Sequence, residues 1–149
     1  MVDFDTWQQL AGEMAALSLL FNAPLSEQHA ARLIDDLHLH EKCRILDLGC
    51  GWGELLLRAL ATIPGAIGVG VDQNLAAVRR ARVAAAERNL LSRATFVCAD
   101  LLTYTGPPSD VVFAIGIGHT TRSPRHTESM WRSKTSSKRG CSSLTWNPG

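Results

Sequence analysis

Three glycines alternate in the run Asp47-Leu48-Gly49-Cys50-Gly51-Trp52-Gly53-Glu54, between apolar Ile45-Leu46 and leucine-rich Leu55-Leu56-Leu57. Glycine lacks a Cβ and adopts positive φ without strain, so the backbone of such a strand-loop-helix can come close to a polar ligand. Two further acids take comparable places downstream. Asp72 closes Gly68-Val69-Gly70-Val71, and Asp100 closes Phe96-Val97-Cys98-Ala99. A carboxylate at a strand end can accept both hydrogen bonds of a ribose diol, which suits Asp72. One at the next strand end, Asp100, can accept from an exocyclic adenine amine while Leu101 lies against the ring. Three acids at the carboxyl ends of three successive strands belong to the ligand side of an α/β sheet.

The spacing separates two ligand classes. A dinucleotide fingerprint requires G-x-G-x-x-G, with the pyrophosphate over a helix N-terminus. Here Glu54 stands where that third glycine would fall. A glutamate there places negative charge near a diphosphate, which is unfavourable. S-adenosylmethionine has no phosphate and carries an ammonium and a sulfonium, so acids around the loop, Asp47 and also Glu54, suit it.

The elements that must position these residues follow from periodicity. Residues 4–21 read as a helix, with Phe4, Trp7, Leu10, Ala11, Met14, Leu17 and Phe21 near a 3.6 repeat. Ser26 caps a second helix running to about Leu39. Strands are expected at Cys43–Leu48, Ala66–Asp72, Ala94–Ala99 and Asp110–Ile115. Helices follow the first two, from about Gly53 to Thr62 and from the Asn74 cap to about Arg88. Alternation of this kind makes βαβ units and a parallel sheet. The nearly continuous apolar strands imply helices on both faces, hence an α/β, Rossmann-like doubly wound fold.

The bulk numbers agree with one soluble domain. The chain has 149 residues, 46% hydrophobic and 19% charged, with a net charge of +1. No apolar run approaches the roughly 20 residues of a membrane span. Asp3 and Asp5 replace the basic start of a signal peptide, so a cytoplasmic location is expected. Cys43, Cys50, Cys98 and Cys141 form no C-x-x-C pair and read as reduced, small, buried residues.

After His119 the composition changes. Residues 120–149 hold seven serines and six basic side chains against the single acid Glu128, while residues 1–119 carry nine basic and thirteen acidic groups. No period of 2 or 3.6 persists there. The body has one lysine, Lys42, and is rich in Ala, Leu, Arg and Gly. Such a body suggests a GC-rich gene, and a frame shift near codon 120 would produce a tail of this kind; a disordered basic tail is the other reading. The organisation expected is N-terminal helices over 1–41, a partial cofactor-binding α/β domain over 42–119, and an irregular basic tail over 120–149.

With these motifs in view, the chain resembles the class I S-adenosylmethionine-dependent methyltransferases, over roughly residues 22–119. The matching segments are Leu46-Asp47-Leu48-Gly49-Cys50-Gly51-Trp52-Gly53, Gly70-Val71-Asp72 and Cys98-Ala99-Asp100-Leu101. Ala114-Ile115-Gly116-Ile117-Gly118-His119-Thr120 is also similar to a group of small bacterial methyltransferases. The resemblance implies that Asp47, Gly49 and Gly51, with Cys50, line the methionine end of S-adenosyl-L-methionine. It places the ribose at Asp72 with Gln73 beside it, and the adenine at Asp100 and Leu101. Ile115 and Gly116 would lie beside the transferable methyl. The family's sheet has seven strands, of which about four are encoded here. That would leave strand four as an exposed edge open to self-association.

The function expected is methyl transfer to a small-molecule acceptor, impaired by loss of the later strands. A non-catalytic S-adenosylmethionine-binding remnant and an NAD-binding oxidoreductase fragment are the alternatives. His119, at the end of strand four, is the candidate general base. His38, His40, Glu41 and Cys43 have metal-capable side chains but no regular ligand spacing, so no metal is expected. Arg79, Arg80 and Arg82 read as a solvated helix face, and neither specific nucleic-acid binding nor membrane binding is expected.

Overall fold

The computed structural model of the protein describes residues 25–37 and 39–115, and the backbone of residues 142–146. The expected helix over 4–21, His38, Gly116 and His119 lie outside the described residues. Helices α1 (Glu27–Asp36), α2 (Glu54–Thr62) and α3 (Leu75–Glu87) accompany strands β1 (Arg44–Leu48), β2 (Ile67–Asp72), β3 (Ala94–Cys98), β4 (Val111–Ile115) and β5 (Ser142–Trp146). The first four strands begin and end within one residue of expectation. Helix α1 stops three residues early, at Asp36 rather than Leu39.

All five strands are parallel, in the order β3-β2-β1-β4-β5. The chain therefore winds outward from β1 through β2 to β3, then returns to the other side of β1 as β4. The carboxyl ends of β1 and β4 mark the point where winding reverses, the place where open α/β sheets open a crevice for a ligand. The glycine loop follows β1 at that point.

Local chemistry explains the helix starts. Ser26 Oγ accepts from His29 N at 3.2 Å, capping α1. Asn74 Oδ1 accepts from Ala76 N at 3.0 Å and Ala77 N at 3.1 Å, capping α3. Helix α2 starts differently, on Gly53 with φ 78° and no side-chain cap. A Cβ at Gly53 would lie 2.5 Å from Phe96 Cε1, so both the backbone angle and the packing require glycine.

One apolar cluster joins one sheet face to all three helices, through Ala30 and Ile34 of α1, Leu56, Leu57 and Leu60 of α2, and Val78, Ala81 and Ala85 of α3. The other sheet face carries Leu46, Leu48, Val71, Val112 and Ala114, and among the described residues it meets Leu101, Ala99 and Tyr104. Helices on both faces were expected; among the described residues the helices share the first face. Side chains also brace the sheet's amino end. Asp110 Oδ2 accepts from Arg44 N at 2.8 Å, and Arg93 Nη1 donates to the carbonyls of Ile63 and Ala66 at 3.2 and 3.1 Å.

Two expectations are corrected. The β4 edge is not open, because β5 pairs with it from Val111↔Ser142 to Ile115↔Trp146. Ser-Ser-Leu-Thr-Trp is too short to display a period, and the unpaired backbone of β4 supplies the pairing that local sequence does not announce. Self-association through that edge accordingly loses its basis. Of the cysteines, Cys43 and Cys50 are buried, but Cys98 is exposed at the β3 terminus.

Gly65 permits a controlled test of Gly53. It too has positive φ, 76°, yet the nearest atom to an added Cβ is Lys42 Cγ at 3.4 Å. Gly65→Ala carries the backbone strain alone and is expected to cost about 1 kcal/mol, whereas Gly53→Ala adds overpacking against Phe96 and should cost roughly 2–4 kcal/mol. Urea denaturation of both variants measures the difference; equal losses would show that Phe96 moves aside freely.

Candidate cofactor site at the strand carboxyl ends

The glycine loop is fastened to β2 by backbone groups. Gly49 N and Cys50 N both donate to Val71 O, at 2.8 and 3.1 Å, and Gly53 N donates to Cys50 O at 2.8 Å. Gly49 and Gly51 hold φ of 71° and 55°, a left-handed geometry that side chains resist.

Asp72 ties this loop to the next helix. Its Oδ2 accepts from Gly51 N at 2.8 Å and its Oδ1 accepts from Asn74 N at 2.8 Å. Each carboxylate oxygen has a further lone pair, so an orienting clamp and a diol acceptor coexist in one side chain. Asn74 thus fixes Asp72 as well as capping α3, a role the helix-cap reading missed. The Asp-x-Asn spacing was the available signal, since an aspartate readily bonds the backbone two residues on.

Asp47 has the opposite surroundings. It is 4% exposed, lies beside Gly70 of β2 and Phe113 of β4, and its carboxyl accepts no hydrogen bond from the described residues. Burial first, and the negative charge of Asp72 second, push its carboxyl up to about 8. A buried acid without a donor is costly to keep ionised. It is complementary to a cation entering the crevice, such as the α-ammonium of S-adenosylmethionine.

The third strand end is drawn to the second, because Ala99 N donates to Asp72 O at 3.1 Å. Asp100 is exposed; its Oδ1 accepts from Leu102 N at 2.8 Å and its carbonyl from Tyr104 N at 2.9 Å, giving a fixed turn. Leu101 is buried in the second apolar cluster, beside Leu48 and Val71. Gln73 is exposed, and its carbonyl accepts from Cys98 Sγ at 3.5 Å. Ile115 ends β4, buried in the first cluster.

Cys50 contributes its backbone to the loop. Its thiol is buried, donates to Gly51 O at 3.5 Å, and is pushed up by burial and by the charges of Asp47 and Asp72. A Cβ at Gly70 would come within 2.9 Å of this sulfur and 2.6 Å of Phe96 Cδ1, so glycine in β2 makes room for both.

Glu54, expected to suit the cofactor electrostatically, is paired within the protein. It is 7% exposed, and its carboxylate accepts from Arg58 Nε at 2.7 Å and Arg88 Nη2 at 2.6 Å. Burial opposes its ionisation, but the hydrogen bonds from Arg88 and Arg58 and their charges outweigh that and lower the carboxyl. Arg58 also reaches Glu27, so the network joins α1, α2 and the end of α3. The arginine cluster of α3 is likewise partly internal. Arg80 lies 4.2 Å over the Trp52 ring, and Arg82 donates to Phe96 O at 2.7 Å.

Residues 45–134 match the methyltransferase domain family. The match continues past His119, where the composition changes. The chain belongs to this family, in the class I S-adenosylmethionine-dependent form that its motifs resemble. Among relatives, it is 36% identical over 85 residues to a release factor glutamine methyltransferase of Bradyrhizobium diazoefficiens, covering 57% of this chain and 29% of that protein. It resembles in fold an S-adenosylmethionine-dependent methyltransferase from Geobacter sulfurreducens solved with S-adenosyl-L-homocysteine, with TM-score 0.74 and 24% identity, covering 80% of this chain and 48% of that one. An RNA methyltransferase from Salinibacter ruber, also with S-adenosyl-L-homocysteine, gives TM-score 0.60 and 26% identity, covering 66% and 63%. The chain spans less than a third of the length of the curated relative and about half of the Geobacter protein.

Glu54 yields a pH test. Its carboxyl is lowered from 4.5 on folding, so its contribution is present above that value and lost as pH falls through the folded one. Glu54→Gln is expected to cost about 1–3 kcal/mol at pH 7, since Arg58 and Arg88 regain some water when unpaired. The gap from the parent protein should narrow below pH 4.5 in urea denaturation. A gap that widens in acid would mean the arginine pairs do not stabilise the helices.

Proposed function

We propose that this chain binds S-adenosyl-L-methionine in the crevice above β1 and β2 and belongs to an enzyme that transfers its methyl group to a small-molecule nucleophile in the cytoplasm. The observation that carries the reading is Asp47: a buried carboxyl with no donor among the described residues, next to the left-handed glycine loop that Asp72 holds. S-adenosyl-L-methionine, when bound, supplies an electrophilic methyl on a sulfonium, and the methyl carbon's bond to sulfur breaks as the acceptor's lone pair bonds to it.

The residues have separable tasks. Asp47 attracts the α-ammonium, and the left-handed glycines let the loop backbone approach the methionine portion. Asp72, held by Gly51 N and Asn74 N, presents its remaining lone pairs to the ribose hydroxyls. Asp100 accepts from the adenine amine, with Gln73 at the rim. Ile115 and Gly116 border the methyl, and His119 takes a proton from the acceptor. With a sulfonium as leaving group, most of the acceleration comes from holding distance and angle.

An anionic dinucleotide is disfavoured at the same place, because its diphosphate would face Asp47 without a compensating cation. A small acceptor is kept as the reading over RNA because residues 1–119, which hold the cofactor site, have an acidic excess and offer a polyanion no net positive charge, although the whole chain is +1. A cofactor-binding chain that has lost transfer remains the second reading, supported by the change in composition after His119.

Calorimetric titration tests the assignment. S-adenosyl-L-homocysteine is expected to bind and NAD to give no heat. Asp72→Asn, checked for folding by circular dichroism, should bind about tenfold more weakly, a loss of about 1.4 kcal/mol. Heat with NAD and none with S-adenosyl-L-homocysteine would overturn the assignment. Binding without methylation of any small acceptor would favour the second reading.

A further inference from the structure

Among the described residues, Asp47 is a buried acid at the strand ends to whose carboxyl no group donates. We propose that Asp47 carries a proton while the crevice is free and releases it to solvent when the cofactor's α-ammonium arrives, so that binding is proton-coupled and tightens as pH rises toward neutrality. The inference rests on the cofactor assignment above and adds a regulation of that site.

The groups around Asp47 support neutrality in the free state. From β2, Asp72 presents a negative charge, and two backbone N–H groups already hold that charge in place. From the loop comes the Cys50 thiol, itself held in its protonated form by burial. From β4 comes Phe113, in a strand that is apolar from Val111 to Ile115. Of the nearby arginines, Arg58 of α2 and Arg88 just after α3 lie on Glu54, Arg80 lies over Trp52, Arg82 lies on the Phe96 carbonyl, and Arg79 is exposed.

Asp47, buried next to the Asp72 charge and without a donor among the described residues, keeps its proton. The carboxyl's value of about 8 is consistent with this. Entry of an ammonium beside Asp47 reverses the balance, because a nearby cation favours the ionised carboxylate. The proton on Asp47 leaves to buffer, and the ammonium pairs with the resulting carboxylate.

The sign is then fixed. Below about 8, binding must expel a proton, so affinity rises with pH by up to tenfold per unit and levels off above that value. Two measurements test this. Infrared difference spectra of the free protein at pH 6.5 should show the carbonyl stretch of a protonated carboxyl that Asp47→Asn removes and that S-adenosyl-L-homocysteine abolishes in the parent. Titration calorimetry at that pH in buffers of different ionisation enthalpy should report about one proton released per ligand, and none for Asp47→Asn. Asp72→Asn removes the like charge and should move the infrared transition to lower pH, which keeps the test open should Asp47→Asn fold poorly. Binding by the parent without proton release would overturn the coupling alone. Absence of binding at every pH would overturn the cofactor assignment and the coupling together, while the infrared band would still show whether Asp47 holds its proton.

Discussion

The carboxylate of Asp72 is the joint on which the site depends. One oxygen holds the glycine loop at Gly51 N, and the other holds the start of α3 at Asn74 N. Its own carbonyl draws in Ala99 at the end of β3. One residue at a strand end thereby coordinates the backbones of β1, β2 and β3 where the chain turns away from the sheet. The parallel register brings the strand ends together, and Asp72 converts that proximity into a fixed geometry. Because a charged acceptor makes stronger hydrogen bonds than a neutral one, an acid suits this place better than an amide.

Two buried acids close in sequence, Asp47 and Glu54, show how environment divides their roles. Glu54 meets two guanidinium groups and is lowered; Asp47 meets none and is raised. Sequence places both beside the same glycines, and charge alone cannot tell them apart. The difference arises because α2 turns Glu54 toward Arg58, one helical turn later, and toward Arg88 beyond α3. Glu54 is buried with its charge answered by two guanidinium groups, whereas Asp47 is buried without a countercharge among the described residues.

Much of the fold was readable because its signals are local. Ser26 and Asn74 announce helix starts through their own hydrogen bonds, and apolar runs such as Val111–Ile115 announce strands buried on both faces. The position of the three acids was legible because each lies at or next to a strand's carboxyl end, and parallel pairing puts such ends on one side of the sheet. The arginine pairs of Glu54 were not legible because they are set by tertiary packing, with Arg88 distant in sequence. Strand β5 was missed for a related reason. Ser142–Trp146 has weak strand character of its own, and its pairing comes from the free edge of β4. The double duty of Asn74 required seeing Asp72 and α3 together.

The connections that hold the cofactor side lie within one continuous stretch. The loop clamp, the Asp72 joint and the Asp100 turn all form between Gly49 and Tyr104, without any hydrogen bond from β4 or β5. On the proposed reading the acceptor side begins at Ile115, where β4 ends and where the composition changes shortly afterward. Cofactor capture and methyl transfer would then draw on different parts of the chain. A change beyond His119 can abolish transfer while leaving the Asp72 joint intact, whereas loss of that joint disturbs the loop on which both steps depend.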